Sequence, residues 1–221
     1  MITVLLFGAS GMAGGSVLDG CLASEFVSAM RIVTRRPVLV NSSKLNVVLH
    51  QDYLDFAAIP EAFQEVDLCL FCLGISVTQT SGEAEYRKIT QNIALAAASA
   101  LKQHSPNAVF HYISGQGTSA TSRMMWARVK AETEQKLIAL NGAVCFRPAA
   151  IGGKASARTP AFIKLLIQFL GVLSPFRSLY VKGEDLGRAM LQAYRETLKG
   201  QIIEAAGIRN LADRALQRGS S

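Results

Sequence analysis

The sequence predicts an α/β fold: a doubly wound parallel sheet, with a small C-terminal lobe on the substrate side. Three observations carry that prediction. Short apolar runs alternate with segments of helical spacing along the whole of the 221-residue chain. At the start, an unbroken apolar or β-branched run from Ile2 to Phe7 leads straight into glycines at 8, 11 and 14, and apolar residues then recur at helical spacing. Finally, Gly8 to Gly14, Arg35, Gly74, Ser114 and Pro148 all fall at the carboxyl ends of expected strands, where sheets of this kind bind ligands.

The first element is the strand ending at Phe7, followed by a helix marked by Ala13, Val17, Leu18, Cys21 and Leu22. Between them, Gly8 permits a tight exit from the strand and Gly11 leaves room for a pyrophosphate against the backbone. Gly14 lets the helix sit close on the sheet. Ser10, Met12 and Ala13 belong to the same turn, whose free N–H groups face the anion at the helix start. The second strand, Met30 to Thr34, ends in Arg35-Arg36-Pro37, and no acidic residue occurs between Met30 and Val48. A carboxylate there would bond a ribose 2′-hydroxyl, whereas an arginine accommodates a 2′-phosphate. The expected cofactor is NADP(H), held in part by Arg35 and Arg36.

Leu45 to His50 is the third strand, with a short helix near Glu61 to Gln64. The fourth, Val66 to Cys72, ends in Leu73-Gly74, where a glycine lets backbone pass beside a nucleotide. A long helix runs from Glu83 to about Gln103, its Ala96 to Ala100 stretch small enough to pack tightly. The fifth strand, Ala108 to Ile113, ends at Ser114, and the segment from Met124 to Glu134 is helical. Ala143 to Phe146 is the sixth strand, followed by Arg147-Pro148-Ala-Ala-Ile151-Gly152.

Lys154 to Pro160 reads as a polar loop and Phe162 to Leu170 as an apolar helix, too short to span a bilayer. Leu179 to Lys182 leads into Gly183 to Met190, a segment similar to a packing helix found late in related folds, a resemblance that implies N-terminal capping by Glu184 and Asp185. Gln201 to Ala206 is the last strand, and Ile208 to Gln217 the last helix, giving about seven strands in all. Residues 1–221 form one domain, to which 153–221 contribute the small lobe.

Composition narrows the function. The 23 Lys and Arg against 16 Asp and Glu give a net charge of +7, which suits an anionic ligand. The charges are dispersed with no basic helix or aromatic-interleaved patch, so no nucleic-acid partner is expected. No run reaches the length of a membrane span, and no signal peptide precedes the first strand. Four cysteines lie within expected helix or strands. Cys69 and Cys72 have the C-x-x-C spacing, but residues three apart in a strand point to opposite faces, which argues against a redox pair or half a metal site. A cytoplasmic protein with reduced thiols and no metal is expected.

Gly8-Ala-Ser-Gly11-Met-Ala-Gly14 resembles the glycine motif of the extended and atypical short-chain dehydrogenase/reductase superfamily, especially its NmrA-like, biliverdin-reductase-B-like and Tat-interacting-protein-like groups. The resemblance covers roughly residues 1 to 190 and implies a Rossmann fold. It implies that Leu73 and Gly74 flank the adenine and ribose, and that Pro148 and its neighbours run past the nicotinamide. It also implies that the Ser114 hydroxyl faces the reacting carbon and that Lys130 bonds the nicotinamide ribose. The superfamily's Tyr-x-x-x-Lys signature here reads Trp126-Ala-Arg-Val-Lys130, and none of the five tyrosines has a lysine four residues on. Ser114, Lys130 and Trp126 are the candidate catalytic residues.

The function expected is an NADP(H)-dependent reductase of an unknown small carbonyl or quinone-like substrate. The alternative is a non-catalytic NADP(H)-sensing regulator acting through a protein partner, with a homodimer left open. A sugar-nucleotide epimerase ranks third, because few residues follow Pro148 to build a substrate domain.

Overall fold

A computed structural model describes residues 1–38, 40–152 and 180–219. The loop expected at 154–160 and the apolar helix expected at 162–170 lie outside the described residues. In chain order the strands are β1 (Ile2–Phe7), β2 (Val27–Thr34), β3 (Leu45–Leu49), β4 (Leu68–Phe71), β5 (Val109–Ile113), β6 (Val144–Arg147), β7 (Ala150–Gly152), β8 (Tyr180–Lys182) and β9 (Ile202–Glu204). The helices are α1 (Met12–Ala23), α2 (Glu83–Arg87), α3 (Ile93–His104), α4 (Met125–Asn141), α5 (Gly183–Arg195) and α6 (Ala205–Gly219).

Seven strands form one parallel sheet in the order β3-β2-β1-β4-β5-β6-β9. Strands buried on both faces need apolar residues at every position, which is why β1 and β4 read as continuous runs. Val4, Leu6, Met30, Ile32, Leu68 and Leu70 face one layer, made by α1, α5 and α6 through Val17, Leu18, Leu186, Met190, Ile208 and Leu211. Leu5, Phe7, Val33, Cys69, Phe71 and Phe110 face the other, where α3 and α4 pack through Ala94, Ala97, Leu101 and Leu137. The alanines keep α3 close to the sheet. Cys69 and Cys72 join opposite core layers, and all four cysteines are free.

Winding outward from β1 to β3 and then returning to β4 puts the switch point between β1 and β4, at the centre of the sheet. The segment expected as a lobe divides: 153–179 lies outside the described residues, while α5 and α6 pack on the main sheet and β9 extends it.

Several elements differ from their expected form. β2 begins at Val27, because the Ile2 N–H bonds the Phe26 carbonyl (2.9 Å) and starts the pairing early. The short helix is a 3-10 turn, Pro60–Phe63. The long helix is interrupted by a π-helical turn, Lys88–Asn92, between α2 and α3. Ala150–Gly152 and Tyr180–Lys182 pair as a separate two-stranded parallel sheet, where only a turn and an unassigned segment were expected. Glu184 and Asp185 are first-turn acids of α5, but no side chain caps that helix; both pair with Arg188 instead (3.5 and 3.0 Å).

Candidate functional site

The glycine turn divides its work among three positions. Gly8 adopts φ +84°, and a Cβ there would lie 2.7 Å from the backbone of Cys72 and Leu73. The exit of β1 is thereby pressed onto the end of β4, at the switch point. A Cβ on Gly14 would lie 2.1 Å from the Gly8 carbonyl oxygen, so only glycine allows α1 to start this close to the strand. Gly11 is different: it is exposed, and the nearest atom to a Cβ there is the Gly8 oxygen at 3.3 Å. Its outward side is open.

Gly11 donates its N–H to the Gly8 carbonyl (2.9 Å), and the first intrahelical bond runs from the Gly15 N–H to the Gly11 carbonyl (2.8 Å). The N–H groups of Met12, Ala13 and Gly14 therefore have no acceptor within the helix. No side chain caps this end and no acidic residue occupies the first turn. Ser10 is exposed beside it. Unbonded donors, the positive end of the helix dipole and an open glycine face suit the phosphates of a dinucleotide.

At the end of β2, Arg35 and Arg36 are exposed. The Arg35 guanidinium lies 5.8 Å from the Tyr53 ring centroid, and its carbonyl accepts a bond from the Gln51 side chain (2.9 Å). The Thr34 hydroxyl donates to the Arg36 carbonyl (2.9 Å), fixing the bend. At the end of β4, Leu73 packs into the core while Gly74 is exposed with open space around it.

The second part of the site hangs from β5 and α4. Ser114 is buried, and its hydroxyl shares a 3.2 Å bond with the Thr118 hydroxyl, which itself donates to the Gly115 carbonyl (2.8 Å). The Lys130 ammonium donates to the Ser114 carbonyl (2.7 Å). Burial pulls the Lys130 pKa down to about 8, against the opposing influence of Glu134 one turn on. Trp126, a turn before Lys130 on α4, packs against this loop: a Cβ on Gly117 would be 3.5 Å from its ring. The loop is closed from β6, because the Gln116 N–H bonds the Pro148 carbonyl (2.9 Å).

A buried ion pair holds this arrangement together. The Arg147 guanidinium donates to both oxygens of Glu134 (2.9 and 2.6 Å) and also to Glu204 (2.9 Å), joining α4, β6 and β9. Glu134 is 1% exposed, and this pairing gives the carboxylate its compensation in the interior. Glu132, the other acid of this helix, pairs with Arg87 (2.5 Å) and Lys136 (2.7 Å) away from the core.

No family model matches the chain. It is 25% identical over 213 residues to the protein fmp52, mitochondrial, of Aspergillus clavatus, covering 91% of each. It is 27% identical over 138 residues to the rat protein HTATIP2, covering 61% of this chain and 56% of that one. Among solved structures, a dTDP-glucose 4,6-dehydratase from Streptomyces venezuelae with NAD bound superposes with a TM-score of 0.71 at 14% identity, over all of this chain and 82% of that one. An oxidoreductase of the short-chain dehydrogenase/reductase family from Burkholderia thailandensis gives 0.69 at 14%, over 99% and 96%. The chain shares the Rossmann-like α/β fold of these structures.

Within that fold, the structure places every candidate residue at the carboxyl edge of the sheet, in two groups. One is the glycine turn with Leu73, Gly74, Arg35 and Arg36; the other is Ser114, Lys130, Trp126 and Pro148. Thr118 was missed in the sequence, although its place three residues after Gly115 is a signal for a hydroxyl that folds back onto a turn. The role of Arg147 as the partner of Glu134 was missed too, since nothing local in the sequence pairs residues on a helix and a later strand. The expectation of a cytoplasmic protein is corrected by the relatives, because the fmp52 proteins are named mitochondrial. Free buried cysteines and dispersed charge suit either compartment, so composition could not decide between them. Among the described residues no helix is long and apolar enough to cross a membrane.

Proposed function

We propose that this chain is an NADP(H)-binding reductase acting on a small carbonyl or quinone-like substrate. The observation that carries the proposal is the start of α1: unbonded N–H groups and the open face of Gly11, placed at the switch point. These residues fit a dinucleotide pyrophosphate. Arg35, with Arg36 in support, would pair with a 2′-phosphate, and no carboxylate stands at the end of β2 to prefer a free 2′-hydroxyl. The nicotinamide, when bound, supplies a hydride.

The chain's own groups then have limited tasks. Lys130, as an ammonium ion, offers its remaining hydrogens to the ribose hydroxyls. Ser114, oriented by Thr118, can donate a hydrogen bond to a substrate oxygen. Trp126 presents a flat ring where a tyrosine would exchange a proton, and indole N–H donates a hydrogen bond without ionising at neutral pH. General acid–base help is worth about 10²–10⁴ in rate, so simple ketones should be turned over slowly or not at all. A flat acceptor that stacks on Trp126 and needs little proton transfer suits the site better. Trp126 also favours a second reading, a sensor that binds NADP(H) and acts through a protein partner.

Calorimetric titration with NADPH and NADH, followed by a panel of aldehydes, ketones, quinones and flavins, tests both readings. Binding with quinone turnover supports the reductase, and binding without any turnover supports the sensor. Brisk turnover of simple ketones that survives Trp126→Phe would overturn the assignment of this site.

A further inference from the structure

The exit of β2 is tied to the exit of β3, residue against residue. The successive carbonyls of Val33, Thr34 and Arg35 accept hydrogen bonds from the Tyr53 hydroxyl (3.1 Å), the His50 N–H (3.0 Å) and the Gln51 side chain (2.9 Å). The Arg35 guanidinium lies 5.8 Å from the centroid of the same Tyr53 ring. We propose that Tyr53 and Gln51 are positioning residues, which hold Arg35 for a 2′-phosphate and so set the preference for a phosphorylated adenosine ribose. The inference rests on the NADP(H) reading above and adds the residues through which Arg35 becomes selective.

Core packing accounts for part of this arrangement. The Tyr53 ring is 7% exposed and meets Phe7 edge-on (6.1 Å) and Phe56 at a tilt (6.2 Å). A phenylalanine would fill the same space. Packing does not call for a hydroxyl bonded to the strand that carries Arg35, nor for a cation beside the ring. Burial raises the Tyr53 pKa to about 12, and the Arg35 charge opposes that rise, so the ring senses the cation. Gln51 is exposed, and its bond to the Arg35 carbonyl is no by-product of a core. The acids of this loop are engaged with their own turns: Asp52 accepts the Leu54 N–H (2.9 Å) and Asp55 the Ala57 N–H (2.8 Å).

An arginine at the surface has many rotamers, and ordering it when a ligand arrives costs affinity. Here the backbone on either side of its Cα is tied down and its cation is drawn to an aromatic face. Part of the ordering is complete before the phosphate binds. Loss of these ties should weaken binding of a 2′-phosphate by roughly threefold to tenfold.

Calorimetry on the full chain, with adenosine 2′,5′-bisphosphate and adenosine 5′-monophosphate as probes, tests the inference. The unaltered protein should prefer the bisphosphate. Gln51→Ala and Tyr53→Leu should each lower bisphosphate affinity by about threefold, and together by about tenfold, with monophosphate affinity unchanged. Tyr53→Phe, which keeps the ring, should lose less than Tyr53→Leu. In an Arg35→Ala background the same substitutions should change nothing further, as expected of groups that act through Arg35. Gln51 is exposed, so its variant reads the effect even if Tyr53→Leu fails to fold. Equal loss of both nucleotides, a loss that persists without Arg35, or a preference unchanged in Gln51→Ala and Tyr53→Leu would overturn this inference alone. No preference in the unaltered protein would overturn the 2′-phosphate reading and this inference with it.

Discussion

At the scale of single residues, the three glycines of the first turn make separable predictions. Gly14→Ala puts a methyl group 2.1 Å from the Gly8 carbonyl and forces α1 off the sheet. Overpacking of this kind costs about 1–3 kcal/mol or more, so the urea midpoint should fall clearly. A Cβ on Gly11 meets only the Gly8 oxygen, at 3.3 Å, and the backbone there (φ −83°, ψ 167°) lies in the extended region open to a valine. Gly11→Val should fold with nearly unchanged stability yet lose NADPH affinity, measured by calorimetry. Equal loss of stability in both variants would sink this division of roles. Arg35→Ala should remove a preference for NADPH over NADH of roughly tenfold to a hundredfold, the worth of a charge-assisted bond. The glycine roles were legible because each follows from backbone geometry that spacing imposes. What spacing could not show is that Gly8 is also crowded from outside the turn, by Cys72 and Leu73, far away in the chain.

At the scale of elements, the strands of the main sheet were readable because each is an apolar run bounded by turn residues, while their order across the sheet came only from the structure. The pairing of β7 with β8 was not readable either. Three-residue strands carry no periodicity, and their partners are separated by a long stretch of chain. The Arg147–Glu134 pair was hidden for a related reason, being a contact between α4 and β6. Arg147→Met should destabilise the fold by about 3–5 kcal/mol, since it strands a buried carboxylate. Adding Glu134→Met should recover much of that loss, a comparison that chemical denaturation of the four proteins of the cycle would make.

Lys130 gives a prediction in pH. Its ammonium is present below about pH 8 and lost above it, so affinity for an anionic dinucleotide should weaken as pH rises through that value. Lys130→Met should bind more weakly at pH 7 and show a flatter profile.

At the scale of the whole molecule, His111 sits fully buried in the sheet layer, 5.2 Å from the Phe146 ring, with neither ring nitrogen hydrogen-bonded among the described residues. Burial pushes its pKa down to about 3. The unfolded chain therefore takes up a proton near pH 6.5 that the folded one refuses, and stability falls as pH drops from there towards 3. At pH 5 the loss is about 2 kcal/mol from this group alone. His111→Phe should flatten that part of the stability profile, as followed by thermal unfolding between pH 5 and 7.5. An unchanged slope would mean that other groups govern the acid limit. Nothing in the sequence announced this histidine, because its neighbours in β5 are ordinary strand residues and the Phe146 ring beside it comes from the adjoining strand β6.

The π turn between α2 and α3 has a consequence of its own. Such a turn is an α-helix carrying one surplus residue, and each residue advances a helix by about 100°. Upstream of it, Arg87 is phased to reach Glu132 on α4; downstream, Ala94, Ala97 and Leu101 are phased to meet the sheet. The two halves answer to different neighbours, and the surplus residue lets one helix serve both. Deleting Thr90 should leave an uninterrupted α-helix that can satisfy only one of them. With the sheet contact the larger, Arg87 would swing away from α4, and Glu132 would keep Lys136 alone.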